Sequence, residues 1–396
     1  MDPTREERLR DLGRQAFLRL ATVVTVDGEQ FALAHAGMMG ERVRFGIFPR
    51  DLLVTGLMGN DVPLLHETGR FCAATIGRRM DPSSGEEPGR VIHEYPPHER
   101  EGRTTQYNAC ETSQLFLIGM AHEVRTGEAK RLTAIRDALR AAGEYVLRHI
   151  AGDLFWEDPA HAGGTRYLLS ATYWKDSFLP GRRQLRFPVA YTLVQAQTVA
   201  ALWALAALTE ALDLGFVPEA LLAQASAVAA AMWRRLWDEG TDYPALALDG
   251  GELVPGISSD GLHLLAYLRP GDVPPSRLEA IRRRVDELAT PYGFRTYAPG
   301  QRDYSPTGYH QGSIWPFEQW FIARGAVVHG LPEVLSVAER VLAAVDDLGF
   351  VELCYWNGKL RGPGDVPGEG CDLQLWSTAV PEGFTRLRSG DDGGDW

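Results

Sequence analysis

The sequence predicts an all-α fold, a set of helical hairpins closed into a ring, and three features of the chain lead there. Apolar residues recur at helical spacing along most of its 396 residues. The junctions between these stretches alternate: Leu214-Gly215 and Gly330-Leu331 are short, whereas 80–110, 151–187, 239–258, 290–312 and 349–372 are long, aromatic and rich in Gly and Pro. No unit of fixed length repeats, which argues against a solenoid. Short turns at one end and long loops at the other describe a rigid scaffold that gathers its functional groups in the loops.

Taken in order, residues 5–19 (REERLRDLGRQAFLR) read as a helix. ATVVTVDGEQFALAH then alternates about Asp27-Gly28, the strongest short hairpin signal, so a small β element precedes the ring. Asp51 is placed to cap a helix running to about Leu57. Further helices are expected at roughly 62–78, 111–126, 130–150, 188–213, 217–238, 259–267, 276–289, 313–328, 332–348 and 373–388. Ser313 suits an N-cap and Pro316 a first turn. The expected organisation is 1–44 as a helix and hairpin of the same domain, 45–387 as the ring, and 388–396 as a flexible tail.

Composition narrows the partners. With 40 basic and 52 acidic residues the chain carries net charge −12, which disfavours nucleic acid or an anionic membrane and favours a neutral ligand. The start, MDPTREERLR, has no apolar core of the secretory kind, and the greasiest run, 189–208, is interrupted by Gln195 and Gln197. A cytoplasmic location is therefore expected. Cys72, Cys110, Cys354 and Cys371 lie far apart without metal-ligand spacing, so they read as reduced thiols, and neither a metal nor another cofactor is expected.

Chemistry concentrates around YWKDSF at 173–178, where Asp176 sits among aromatic residues. A carboxylate buried beside rings rises in pKa, as a general acid requires, although a surface Asp176 paired with Lys175 fits the spacing as well. The stretch 290–316 is dense in Tyr, His, Gln, Ser and Trp, a surface of ring faces and hydrogen bonders that suits a sugar. Glu352, in GFVELCYW, is a second acid among apolar neighbours and shares a face with Phe350, Cys354 and Trp356 if extended. Asp176 and Glu352 thus form a candidate two-carboxylate pair, one protonated and one ionised. Arg50 with Asp51, His93 with Glu94, Glu111 and Glu318 are each a sugar-hydroxyl ligand, a helix cap or a structural pair by spacing alone.

Read together and in order, the motifs FPRDLLVTGLM, PGRVIHEY, YNACETSQLFL, ATYWKDSFLPGR, YPALALDG, SSDGLHLL, YGFRTYAP, DYSPTGYHQGSIWPFEQ and FVELCYW with CDLQLWSTA resemble one known family. From about 45 to 376 the chain is similar to the catalytic domain of the glycogen-debranching, amylo-α-1,6-glucosidase family and its inverting six-hairpin relatives. The resemblance implies an (α/α)6 toroid, with Asp176 as general acid and Glu352 as general base. It places Arg50, Asp51, His93 and Glu94 around the non-reducing sugar, and Trp174, Lys175, Tyr309, His310, Trp315 and Trp376 in motifs that shape the pocket. Glu111, Glu318 and Trp356 join the expected substrate-binding set. Two positions depart from the family: Glu111 stands for an aspartate, and Phe317-Glu318 for a His-Asp pair, which alters the hydroxyls that can be held. The large β-rich domain that often precedes this barrel is missing, which suggests a small glycoside as substrate.

The expected activity is hydrolysis of an α-linked, glucosyl-type residue with inversion, the two carboxyls lying roughly 6.5–9.5 Å apart to admit water. The alternatives are a sugar isomerase or epimerase using His93 or His310 as base, and a sugar-binding protein without turnover. A terpene-type barrel is disfavoured by the lack of Asp-rich metal motifs.

Overall fold

A computed structural model describes residues 3–177, 185–366 and 370–391. Among them, six helical segments form an inner ring: Pro49–Gly59, Thr112–Arg125, Thr192–Leu212, Asp260–His263 continuing as Leu264–Tyr267, Pro316–His329, and Leu375–Thr378 with Val380–Ser389. Each packs on the next, and the last returns to the first. Outside it run Pro3–Leu20, Val62–Thr75, Arg136–Arg148, Pro218–Arg235, Pro275–Arg283 with Val285–Leu288, and Pro332–Ala338 with Val341–Leu348. The fold is the (α/α)6 toroid expected from the motifs. The first helix packs on Leu375–Thr378 and Val380–Ser389, so it completes the last pair of the ring.

Local chemistry explains these boundaries. Proline occupies the first turn of Pro49–Gly59, Val62–Thr75, Pro218–Arg235, Pro316–His329 and Pro332–Ala338, where its missing N–H and fixed φ cost nothing. The short turns leave inner helices through left-handed residues, Asn60 (φ 53°), Asp213 (φ 53°) and Gly330 (φ 66°), whose backbone N–H groups reach back to cap the last carbonyls. The predicted hairpin is present, with Val26 opposite Glu29 and the turn at Asp27-Gly28. Every long connection runs from an outer helix to the start of an inner one, so the loops collect at the inner N-termini. There the helix dipoles favour negative charge.

The differences from expectation are local. Ser313 caps nothing: its hydroxyl bonds to the Tyr309 carbonyl, and the helix begins at Pro316 with Trp315 as N-cap. Asp51 lies inside the first turn, and its helix starts at Pro49 without a side-chain cap. Arg388 and Ser389, expected in the tail, end a helix; 392–396 lie outside the described residues. The loops also carry short strand pairs that periodicity over two or three residues cannot reveal. One of these, Gly37–Met39, joins Arg42–Phe45 and Leu373–Gln374 and stitches the start of the chain to its end.

Thr192–Leu212 is long and apolar enough to span a membrane, but 94% of its most apolar window is buried inside the ring. One of its two glutamines, Gln195, finds its partners inside the protein. Gln195 accepts from the Phe155 N–H (2.8 Å) and donates to the Phe155 carbonyl (3.0 Å), clipping the second strand of a loop hairpin to the helix. Gln319, likewise in the first turns of its helix, does the same for Phe294 at 2.7 and 3.0 Å. A buried amide is tolerated in the core because both its groups are satisfied. All four cysteines are free and buried.

Candidate active site

Three inner entrances meet at Arg50, in the first turn of Pro49–Gly59. Its guanidinium donates to Glu111 Oε1 at 2.9 Å and to Asp176 Oδ2 at 3.4 Å, and its Nε lies 3.8 Å from Asp51 Oδ1. Burial works against its charge, yet Glu111, Asp176 and Asp51 together hold its pKa above the ordinary value. Glu111 occupies the N-cap position of Thr112–Arg125 but makes no cap bond, because it serves Arg50.

Glu352 reaches the neighbourhood of Asp51 and Asp176 from the far end of the sequence. Tyr309 donates its hydroxyl to Oε1 at 2.5 Å, and the Cys371 backbone N–H donates to Oε2 at 2.8 Å. Burial raises Glu352 to about 7, with Asp176 adding to the rise and those two hydrogen bonds opposing it. Asp51 is also lifted to about 7, first by burial and then by Glu352 and Asp176, while Arg50 and the Gln374 amide (2.9 Å) oppose. Glu111 and Glu94 sit above the usual carboxylate range, mainly through burial, with Asp176 again contributing. Three carboxyls, those of Glu111, Asp176 and Asp51, thus converge on one buried guanidinium, and Glu94 and Glu352 are coupled to them through Asp176.

The aromatic wrapping expected for Asp176 belongs to another acid. Tyr173 and Trp174 both donate to Asp260, at 3.0 Å each, and Lys175 Nζ lies 3.0 Å from it. Lys175 also meets Ser258 Oγ (2.7 Å), Ser259 Oγ (3.1 Å) and the Thr296 carbonyl (3.3 Å). Its three N–H bonds are thus engaged within the protein, and Lys175 and Trp174 anchor the segment rather than offer donors to a ligand. Asp176 emerges from this anchor with its side chain 25% exposed, reachable from solvent and beside Arg50. An apolar enclosure of Asp176 is therefore corrected to a polar, open one.

Lys175→Met removes the cation from that buried pair and should cost about 3–5 kcal/mol, as loss of one partner of a buried ion pair does. Urea unfolding measures it. A raised KM with an unchanged unfolding midpoint would contradict this placement.

The remaining expected residues divide. His310 stacks on Trp315 at 5.0 Å and bonds Ser177 Oγ through Nδ1 at 2.7 Å; Trp376 stacks on Phe317 at 3.9 Å. His93 packs edge-on against Phe48. Both histidines are held well below their ordinary pKa by burial and by nearby cations, Arg50 among them. Glu94 accepts from the Thr105 hydroxyl and the His98 N–H. Asp51 Oδ1, Glu111 Oε2, His93 Nδ1, His310 Nε2 and Trp376 Nε1 are buried without a protein hydrogen-bond partner. Two residues lie elsewhere: Glu318 is sealed against Ser259 (2.5 Å) beside His263, and Trp356 tilts onto Tyr292 in a side cluster with Val351 and Cys354. Asp260, His263, Gln374 and the Cys371 N–H went unassigned in the sequence, although SSDGLHLL and CDLQLW contain them.

Residues 106–359 match the family model of the mannosylglycerate hydrolase MGH1-like glycoside hydrolase domain. The chain belongs to that family. The resemblance read from the motifs is borne out at the coarser level, a six-hairpin glycosidase. A search of curated proteins gives no match. Among solved structures, the GH63 mannosylglycerate hydrolase from Thermus thermophilus bound to Tris and D-glycerate is 15% identical, covering 96% of this chain and 100% of that one, with TM-score 0.67. The same enzyme bound to glucose is 16% identical over the same shares, with TM-score 0.65. A protein described as a wild-type glycosidase is 14% identical over 97% of this chain and 98% of its own, with TM-score 0.61. In this MGH1-like chain the family match spans the segment that carries Glu111, Asp176, Asp260, Tyr309 and Glu352, whereas Arg50, Asp51 and Gln374 flank it.

Proposed function

We propose that the protein is an inverting glycoside hydrolase that releases an α-linked glucosyl or mannosyl residue from a small glycoside, with Asp176 as general acid and Glu352 as general base. The observation that carries this reading is a solvent-reachable acid held beside Arg50 and acting electrostatically on a buried acid with a pKa near 7. A base works best with a pKa near the operating pH, and Glu352 meets that condition. As general acid, Asp176 gives its proton to the leaving oxygen. A sugar bound over Arg50 excludes water and weakens the competing solvation of that acid. Glu352 takes a proton from water, whose oxygen bonds to the anomeric carbon from the opposite face as the bond to the leaving oxygen breaks.

The unpartnered atoms of Asp51, Glu111, His93, His310 and Trp376 supply the acceptors and donors for hydroxyls, with Trp315 and Trp376 as ring faces. Glycerate-linked sugars enter the substrate list because mannosylglycerate names the family. Incubation with α-glucosyl and α-mannosyl glycerates and a panel of α-linked disaccharides, followed by NMR of the anomer first released, tests the reading. Release of the β-anomer supports it. A first product of α configuration, or one with the mass of the substrate, sinks it.

Tyr309→Phe gives a pH test. Glu352 must be ionised to act, so kcat/KM should rise with pH through a midpoint near 7. The Tyr309 hydrogen bond favours the ionised carboxylate, so its loss should move that limb to higher pH. An unmoved or acid-shifted limb would contradict the assignment.

A further inference from the structure

Away from the groups assigned above, the end of helix Arg136–Arg148 meets two loops around a second buried acid. His149 Nδ1 lies 2.8 Å from the Trp156 carbonyl oxygen. A carbonyl only accepts, so this nitrogen carries the hydrogen. In a neutral ring the other nitrogen, Nε2, then presents a lone pair to Glu87 Oε2, only 2.9 Å away. Two lone pairs at that distance repel unless a proton or a metal ion lies between them. His161 adds a third: its Nδ1 is 3.9 Å from the same oxygen, and its ring centroid is 4.2 Å from that of His149. The three ligand atoms lie within 4.8 Å of one another.

We propose that Glu87, His149 and His161 bind one divalent cation of the zinc class, with a fourth position open to water. Nitrogen and oxygen ligands about 2.0–2.2 Å from tetrahedral zinc stand roughly 3.3–3.6 Å apart, between the two separations measured here. A proton on His149 accounts for the His149–Glu87 contact alone. It does not account for the convergence of His161 on the same oxygen.

The surroundings are those of a metal site. The hydrogen bond from His149 to a backbone carbonyl fixes the tautomer and aims the ring. Glu87 Oε1 is held by Arg90 Nη1 at 3.2 Å, and Arg90 Nη2 is in turn paired with Glu157 Oε1 at 2.8 Å, which offsets its repulsion of a cation. The His161 side chain is 33% exposed and provides the entry path. Among the described residues, the other group of comparable make-up, Asp260, His263 and Glu318, is sealed and already holds the Lys175 ammonium 3.0 Å from Asp260. A cation at Glu87 ties the turn Pro159–Ala162 to the helix end and to the loop before His93, upstream of the segment that presents Asp176.

The test is isothermal titration of tag-free, chelator-dialysed protein with zinc chloride, alongside absorption spectroscopy with cobalt chloride. The expected result is one zinc per chain at micromolar affinity or tighter, and the intense visible bands of four-coordinate cobalt. His161→Ala, at a partly exposed position, should weaken zinc binding by more than the roughly 10–100-fold that loss of an outer partner costs. Circular dichroism checks its fold, and His161→Gln replaces it under the same criterion if it unfolds. Absence of stoichiometric binding by the parent protein overturns the proposal. So does undiminished binding by the His161 variant, which would put the ion elsewhere.

Discussion

Asp176→Asn is expected to lower kcat on a natural α-glycoside by about 10²–10⁴-fold, the range that a positioned general acid contributes. Asparagine keeps the size of the side chain and can still meet Arg50 through its carbonyl oxygen, so the pocket should hold together and KM should change far less than kcat. Leaving-group chemistry separates this from a misfolded variant. Fluoride departs without protonation, so the same variant should retain most of its activity on the matching α-glycosyl fluoride. Near-parental turnover of the natural substrate would remove Asp176 from the reaction. Loss on both substrates would point to damage of the pocket.

Glu352→Gln is the second large effect and has the opposite signature. Without a base to take the proton from water, both substrate types should slow by about 10²–10⁴-fold, because the attack itself is impaired whatever the leaving group. The amide can still accept from Tyr309 or from the Cys371 N–H through its one oxygen, though not from both, so a modest loss of stability accompanies the change. The limb near pH 7 should vanish from the residual rate, since the group that titrates there is gone. Survival of that limb would assign it to Asp51, which stands at a similar value.

The ring and its helical stretches were legible because each is long enough for its apolar period to show, and Pro and Gly mark the ends. The polarity of the loops was legible too, from their lengths. Side-chain direction was not. Tyr173, Trp174 and Lys175 look like the setting of their neighbour Asp176, yet they bond to Asp260 at the start of a helix far along the chain. Sequence adjacency says nothing about which of two acids a ring will face. Glu318 looked like a pocket residue from its place after Trp315-Pro316, but one helical turn carried it behind the aromatic layer, against Ser259. The role of Arg50 as a hub was visible only in part, since Glu111 and Asp176 reach it from separate loops. His149 and His161 are 12 positions apart without ligand-like spacing to Glu87, so their meeting is a product of the fold.

The amides of Gln195 and Gln319 act as surrogate strand neighbours, each giving one loop residue the donor and acceptor that a sheet would give. A loop fastened at its base in this way does not depend on the length or composition of its tip. Tips of this kind can lengthen, shorten or change chemistry independently while the barrel beneath stays in register.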